Sequence, residues 1–285
     1  MKQRLIGGIP VSAIGLGCMP LSIPRERRPS RESALATLQA ALDAGITLID
    51  TADAYCAGPA ELGHNELLVA EAVHSRDDVL VATKGGHTRP SDQDWGLDGS
   101  PAYLRRACEA SLRRLGVEAI GLYQLHRPDP QVPWAESVGA LEDLRTEGKV
   151  RMVGVSNADV AQIRAAAAIT DLVAVQNQFS PGFRSSLAEL QLCAELGIAF
   201  LPWSPLGGIG QADGQPDVFA EIGSAHGASA QQVVLAWMLA LSDVVLPIPG
   251  ASRPHSIQAS AAAGDLVLST AELDRIDEEL ARSSP

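Results

Sequence analysis

From residue 31 onward, helical segments and short apolar runs alternate with a regularity that few architectures accommodate. RESALATLQAALDAG has helical periodicity over 31–44, stops at Gly45 and leads into ITLID. The same step recurs: a helical segment at 64–74 before VLVATKGG, 101–115 before AIGLYQLH, and 134–148 before VRMVGVSN. DVAQIRAAAA then precedes LVAVQNQF, 185–197 precedes IAFLPWSPL, 229–241 precedes VVLPIPG, and further helices start near 254 and span 271–281. Each run is short and apolar on both faces, as strands are when helices cover both sides of a parallel sheet. Counting from IGLGCM at 14–19 there are eight such strands, each followed by a helix. That count predicts an α/β fold of the (β/α)8 TIM-barrel type. A doubly wound open sheet is the competitor, but it needs a G-x-G-x-x-G turn, and IGLGCMPL lacks the third glycine. The opening KQRLIGGIPVSAIG reads as an N-terminal β-hairpin that caps the barrel's bottom. With no linker and no shift in composition, residues 1–285 are expected to form one domain.

Bulk properties narrow the function. The apolar runs are far too short for a membrane span, and the N-terminus lacks the apolar core of a signal peptide. A net charge of −12, from 34 acidic and 22 basic residues, argues against nonspecific binding to nucleic acid or anionic membrane. Cys18, Cys56, Cys108 and Cys193 are scattered without CxxC spacing, which suggests free thiols in a reducing, cytoplasmic setting. Six histidines with no HxH pair give a metal hydrolase little support, and no metal is expected.

In a barrel, chemistry belongs at the C-terminal ends of the strands. Asp50 closes ITLID, Lys84 closes VLVATK and His126 closes LYQLH. Ser156 and Asn157 close VRMVGVSN, Gln176 lies late in LVAVQ, and Trp203 and Ser204 close AFLPWS. Each has a bland reading: a lysine reaching solvent, a satisfied rim histidine, a tryptophan filling the core. Asp53, three residues past Asp50, reads as a loop cap without chemistry. Polar residues at six strand ends on one rim are harder to dismiss than any one of them.

Asp50-x4-Tyr55, Lys84 after an apolar strand and His126 in LYQLHRPD resemble the catalytic tetrad of the aldo-keto reductases. GVSN at 154–157, AVQNQFS at 174–180, WSPLGG at 203–208 and IPGASRP at 248–254 resemble that family's cofactor-binding segments, in the family's order. The resemblance runs from GLGCM to the last helix. It implies NADPH, with NADH possible, lying extended across the rim, and hydride transfer to a small-molecule carbonyl. A hydride arriving at a carbonyl carbon leaves an alkoxide that needs a proton. Tyr55 would supply it, with Lys84 lowering the phenol's pKa, Asp50 holding Lys84, and His126 bonding the carbonyl oxygen. Ser156, Asn157 and Gln176 would hold the nicotinamide carboxamide, and Trp203 would stack on its ring. Ser204, Leu206 and Gly208 would line the pyrophosphate path. Gly250, Ser252 and Arg253 would surround the adenosine 2′-phosphate, Arg253 favouring NADPH, with Ser256 and Ser260 beside the adenine.

The chain also departs from the family pattern. Gln258, Ala259 and Ser260 stand where relatives carry a Glu-Asn pair against the adenine. The loop CAGPAELGHNELL after Tyr55 is longer than usual, includes Pro59 and His64, and is expected near the substrate pocket. A long substrate-covering tail is not expected, which would leave the site open. The substrate wall should come from Met19–Ile23, from His87–Leu97 with Trp95, and from Arg127–Pro130. Arg127, beside His126, would attract an anionic or polyhydroxy substrate or else be a surface arginine. A cofactor-binding sensor of the same fold is the rival to a reductase, and a monomer or weak oligomer is expected.

Overall fold

β1 (Gln3–Ile6) and β2 (Ile9–Ser12) form an antiparallel hairpin that closes one end of the molecule. The computed structural model describes residues 1–23, 27–74, 76–208, 210–211 and 213–282. The hairpin turns on Gly7 and Gly8, at φ +54° and +81°, a left-handed pair that suits a two-residue turn. Its Ile6 and Val11 are buried among Leu48, Leu80, Leu122 and Met152, apolar residues from the floor of the barrel. Ser12 and Thr47 exchange reciprocal backbone–side-chain hydrogen bonds at 2.8 and 2.9 Å, which fixes the plug against the barrel wall.

The wall is a curled parallel sheet. In spatial order it runs β11 (Ala199–Phe200), β10 (Leu172–Gln176), β9 (Val150–Ser156), β8 (Ile120–Leu125), β5 (Leu80–Gly85), β4 (Leu48–Asp50) and β3 (Leu16–Gly17). The eighth stave is the predicted VVLPIPG, which is extended but carries prolines at 247 and 249 and so cannot form a regular ladder. It still joins both edges. Leu246 N and Ile248 N donate to Phe200 O and Pro202 O, while Pro247 O and Pro249 O accept from Gly15 N and Gly17 N. The ring therefore closes as the (β/α)8 barrel expected from the alternation.

Helices follow the strands: α1 (Arg31–Asp43), α2 (His64–Ala72), α3 (Pro101–Leu115), α4 (Trp134–Thr146), α5 (Val160–Ala167) and α6 (Leu187–Leu196). α7 (Asp217–His226), which the sequence reading passed over, and α8 (Ala230–Leu241) follow β11; α9 (Pro254–Ala262) and α10 (Thr270–Arg282) complete the chain. Local signals set their ends. Ser100 accepts from Tyr103 N ahead of Pro101, and Asp159 and Ser229 form capping boxes with Gln162 and Gln232. The short β6 (His87–Thr88) and β7 (Gly96–Leu97) make a second antiparallel ribbon, above the rim, where the sequence reading had only a loop. No helix among the described residues is long and apolar enough to cross a membrane.

Period-two alternation carries the barrel from an apolar floor to a polar mouth. Leu48, Leu80, Ala82, Leu122 and Met152 belong to the interior cluster. Two residues on, the same inward face gives Asp50, Lys84 and Gln124, and Ala174 is followed by Gln176 in the same way. Gln124 is fully buried with both amide atoms unpartnered, and Gly154 leaves its room: a Cβ there would lie 2.9 Å from Gln124 Cγ.

The hairpin turn offers a paired test. A Cβ on Gly7 would lie 2.7 Å from Met152 Sδ, whereas one on Gly8 would meet nothing within 4 Å. Gly8→Ala should cost only the left-handed backbone penalty, about 1–2 kcal/mol. Gly7→Ala should cost about 1–3 kcal/mol more from overpacking. Urea unfolding of both variants, compared with wild type, measures the difference.

Candidate active site

Lys84 is completely buried, and its ammonium is held on all sides. Nζ donates to Asp50 Oδ1 and Oδ2 at 2.8 and 2.7 Å, to Thr51 O at 2.9 Å and to Tyr55 OH at 3.2 Å. Asp50 also accepts from Gln176 Nε2 at 2.8 Å, which reaches it from β10 across the barrel. Burial alone would depress the lysine; Asp50 and Tyr55 more than reverse this, so it stays charged. The His126 ring meets Tyr55 edge-on at 5.6 Å, and its backbone N is fixed to Gly85 O at 2.8 Å. Burial, then Lys84, His87 and Arg127, holds the His126 imidazolium well below the ordinary histidine value, so the ring is neutral near pH 7. Asp50, Tyr55, Lys84 and His126 thus come together as one contiguous cluster at the strand ends.

One expectation about this cluster is corrected. The Tyr55 phenol sits above its ordinary value, because burial outweighs the lowering by Lys84. Lys84 acts in the expected direction, but it limits the rise without reversing it.

A cavity of about 900 Å³ runs from this cluster along the rim. Every residue assigned to a cofactor lines it: Ser156, Asn157, Gln176, Trp203, Ser204, Leu206, Gly208, Gly250, Ser252, Arg253, Ser256 and Ser260. Among the described residues, the non-glycine positions in left-handed backbone are Asn157 (φ +59°) and Ser204 (φ +51°), both on this cavity. Such conformations persist only where the surroundings enforce them, and they concentrate at functional sites. The three polar side chains nearest the cluster are linked already. Ser156 Oγ donates to Gln176 O at 2.7 Å, and Asn157 Nδ2 donates to Ser156 Oγ and to His126 O. Trp203 Nε1 donates to Asn157 Oδ1 at 3.2 Å, which orients the indole over the cavity. Beyond it, Gly207 and Gly208 are at φ +89° and +109°, and nothing crowds the Cβ position of Gly208 closer than Ser204 Oγ at 3.9 Å. Planar indole and amides at one end, open glycine backbone in the middle and a guanidinium at the other suit an extended dinucleotide.

The cavity is also lined by Met19, Pro20, His87, Trp95 and Arg127, of which His87 lies against His126. His87 stacks obliquely on Trp95 at 4.5 Å and meets His126 edge-on at 4.7 Å. Burial, then Arg127 and Arg89, pushes His87 down to about 4. His87 lies within a segment the sequence reading named, but it was not singled out; its position one residue past the β5 terminal glycines was the available signal. The loop after Tyr55 lies beside the cavity without lining it. Residues 56–63 contribute nothing to the cavity lining among the described residues. The loop supports the wall from behind: His64 Nδ1 lies 2.8 Å from Ser22 Oγ, and Asn65 Nδ2 donates to Cys18 O and Ser22 Oγ.

A closed (β/α)8 barrel carries a buried polar cluster at its strand ends and an elongated cavity along the rim. Residues 13–281 match the model of the Aldo/keto reductase family. An uncharacterized oxidoreductase of Schizosaccharomyces pombe is 34% identical over 276 residues, covering 96% of this chain and 88% of that protein. Probable aldo-keto reductase 1 of Glycine max is 35% identical over 302 residues, covering 95% of this chain and 86% of its own. The crystal structure of a Klebsiella pneumoniae aldo/keto reductase, solved with NADP and acetate, superposes with a TM-score of 0.83 at 30% identity, covering 98% of this chain and 96% of that one. The chain belongs to the aldo/keto reductase family.

Behind Lys84 lies a second polar cluster that the sequence did not disclose. Asp53, read as a loop residue, is only 3% exposed, and its Oδ1 has no partner among the described residues. Glu66 is fully buried in the first turn of α2, accepting from Thr83 Oγ1 at 2.7 Å and from Arg114 at 3.0 Å. Burial first, then the Glu66 charge, raises the Asp53 carboxyl well above the usual carboxylate range. A carboxyl raised on folding has its penalty absent below its unfolded pKa and growing as pH climbs through the folded value. Asp53→Asn should therefore match wild-type stability near pH 4 and exceed it at pH 7 by about 1–3 kcal/mol, the scale of an unsatisfied buried group. Denaturant midpoints measured across that range check the sign.

Proposed function

We propose that this protein is an NADPH-dependent reductase that converts the carbonyl of a small molecule (an aldehyde, ketone or sugar-like compound) to an alcohol, with 1–285 working as one domain. The observation that carries this reading is the Lys84 ammonium, bonded at once to both Asp50 oxygens and to the Tyr55 hydroxyl on the cavity wall. The NADP in the Klebsiella relative supports the cofactor assignment. When bound, the nicotinamide supplies the hydride. Ser156, Asn157 and Gln176 would hold its carboxamide, after exchanging some of the bonds they now make with one another, and Trp203 would stack on its ring. Ser204, Leu206 and Gly208 would follow the pyrophosphate, and Ser256 and Ser260 the adenine. Arg253, with Gly250 and Ser252, would take the 2′-phosphate by charge-assisted bonds.

Tyr55 is the general acid in this reading. Its raised pKa keeps the phenol protonated at neutral pH. An alkoxide is a far stronger base than a phenolate, so the proton still moves downhill to the developing oxygen. Lys84 then faces the phenolate left behind, 3.2 Å away, and stabilises it. Asp50 keeps that ammonium charged and aimed. Neutral His126 has one N–H to give, and it would orient the carbonyl oxygen toward Tyr55.

Mixing the protein with NADPH and a panel of aldehydes, and following loss of reduced-nicotinamide absorbance, tests the activity. NADPH binding without turnover of any substrate would favour a sensor over a reductase. Tyr55→Phe should lower turnover by about 10²–10⁴-fold, the range for losing a positioned acid. Its NADPH affinity, followed by fluorescence, should stay near wild type; full activity would remove Tyr55 from the acid role. Arg253→Ala should weaken NADPH binding by about 1–3 kcal/mol and hardly change NADH. Equal loss for both cofactors in the same titration would remove the 2′-phosphate assignment.

A further inference from the structure

We propose that the carbonyl substrate carries an anionic oxygen group, a carboxylate or a phosphate, which Arg127 takes at the cavity mouth beside His126. The inference rests on the reading that this end of the cavity receives the carbonyl. Arg127 lines the cavity with His87, Trp95 and His126, and it forms no ion pair or hydrogen bond with any described residue. Two carboxylates of the rim loops bond elsewhere. Asp129 accepts from Gly99 N and Gln131 N, and Asp98 accepts from Ser100.

Arg89 deepens the imbalance. It is 6% exposed and, among the described residues, has no carboxylate partner and donates to the carbonyl oxygens of Ala57 and Asp92. Its guanidinium lies 4.3 Å from the Trp95 ring centroid, directly behind the cavity wall, and its Nε is unpartnered. Several other arginines meet acids, as in Arg28–Glu61, Arg114–Glu66, Arg145–Glu142 and Arg275–Glu221, whereas Arg4, on the far side of the barrel, donates to carbonyl oxygens. In a chain of net charge −12, two uncompensated guanidiniums flanking one histidine mark a place where the anion is supplied from outside. His87, held low first by its burial, is lowered further by both guanidiniums. A guanidinium offers parallel N–H donors that match the paired oxygens of a carboxylate or phosphate, and a neutral carbonyl compound uses none of this.

The test compares 4-formylbenzoate with 4-formylbenzamide, which share a shape and differ in charge, using the NADPH-loaded protein. Wild type should favour the carboxylate in kcat/KM roughly tenfold, mainly through KM, as expected of one bond to a charged group. The preference should shrink as salt rises from about 50 to about 500 mM. Arg127→Gln should reduce it to within about twofold, and Arg127→Lys should retain part of it. Equal kcat/KM for the two aldehydes in wild type, or an undiminished preference in Arg127→Gln, would overturn the proposal while leaving the reductase reading intact. If neither aldehyde is turned over, the reductase reading fails separately, and binding decides. Benzoate titrated into the protein–NADP+ complex, read by tryptophan fluorescence, should bind tighter than benzamide in wild type and not in Arg127→Gln. No such difference would overturn the anion site.

Discussion

The Lys84–Asp50 ion pair is the interaction on which the rest of the site depends. A fully buried ammonium costs several kcal/mol in lost hydration, and it is tolerated only where geometry and extra hydrogen bonds offset the loss. Here three residues of β4 and its following loop, Asp50, Thr51 and Tyr55, surround the lysine of β5. The register that pairs Asp50 with Ala82 brings this about, since it leaves Lys84 two residues further along the same inward face. A slip of one residue would turn the lysine outward and the carboxylate inward alone. The pair therefore ties strand register to chemistry: the sheet is correct when the charge is matched.

From that pair, hydrogen bonds pass around the rim. Gln176 joins Asp50 to β10, Ser156 joins β9 to Gln176, and Asn157 links His126 of the β8 end to Trp203 beyond β11. The Lys84 cluster and the residues proposed for the cofactor are members of one network, so those side chains are oriented before any ligand arrives. The electrostatics differ along the cavity. At the cluster, cation and anion are balanced; beside His87, Arg127 on the wall and Arg89 behind it have no acid partner among the described residues.

Much of this could be read from the sequence because strand periodicity and strand ends are local facts. The eight-unit alternation, the hairpin glycines and the polar rim follow from period two and from chain punctuation. Other features depend on which neighbour a side chain meets. Asn65 and Glu66 look like ordinary first-turn helix residues, yet both are fully buried, because α2 lies with its first turn against the backs of β3 and β5. Asp53 lies in the same blind spot. The net shift of Tyr55 was also beyond the sequence, because burial and Lys84 oppose each other and only packing settles the balance. Gln124 was more accessible: in LYQLH, alternation puts it between Leu122 and His126 on the inward face. α7 was missed because the loop before it hides a second helix within one βα unit.

The proline-bearing eighth stave has a mechanical meaning. A barrel is a hoop, and most of its staves grip their neighbours with donors and acceptors on both edges. Between Gly15–Gly17 and Pro247–Pro249 the grip is one-sided: the glycine amides give and the prolines only receive. The cavity lies across that joint, with Gly17 and Pro20 on one lip and Gly250 and Ser252 on the other. A ligand long enough to follow the rim bridges both lips and acts as a clasp.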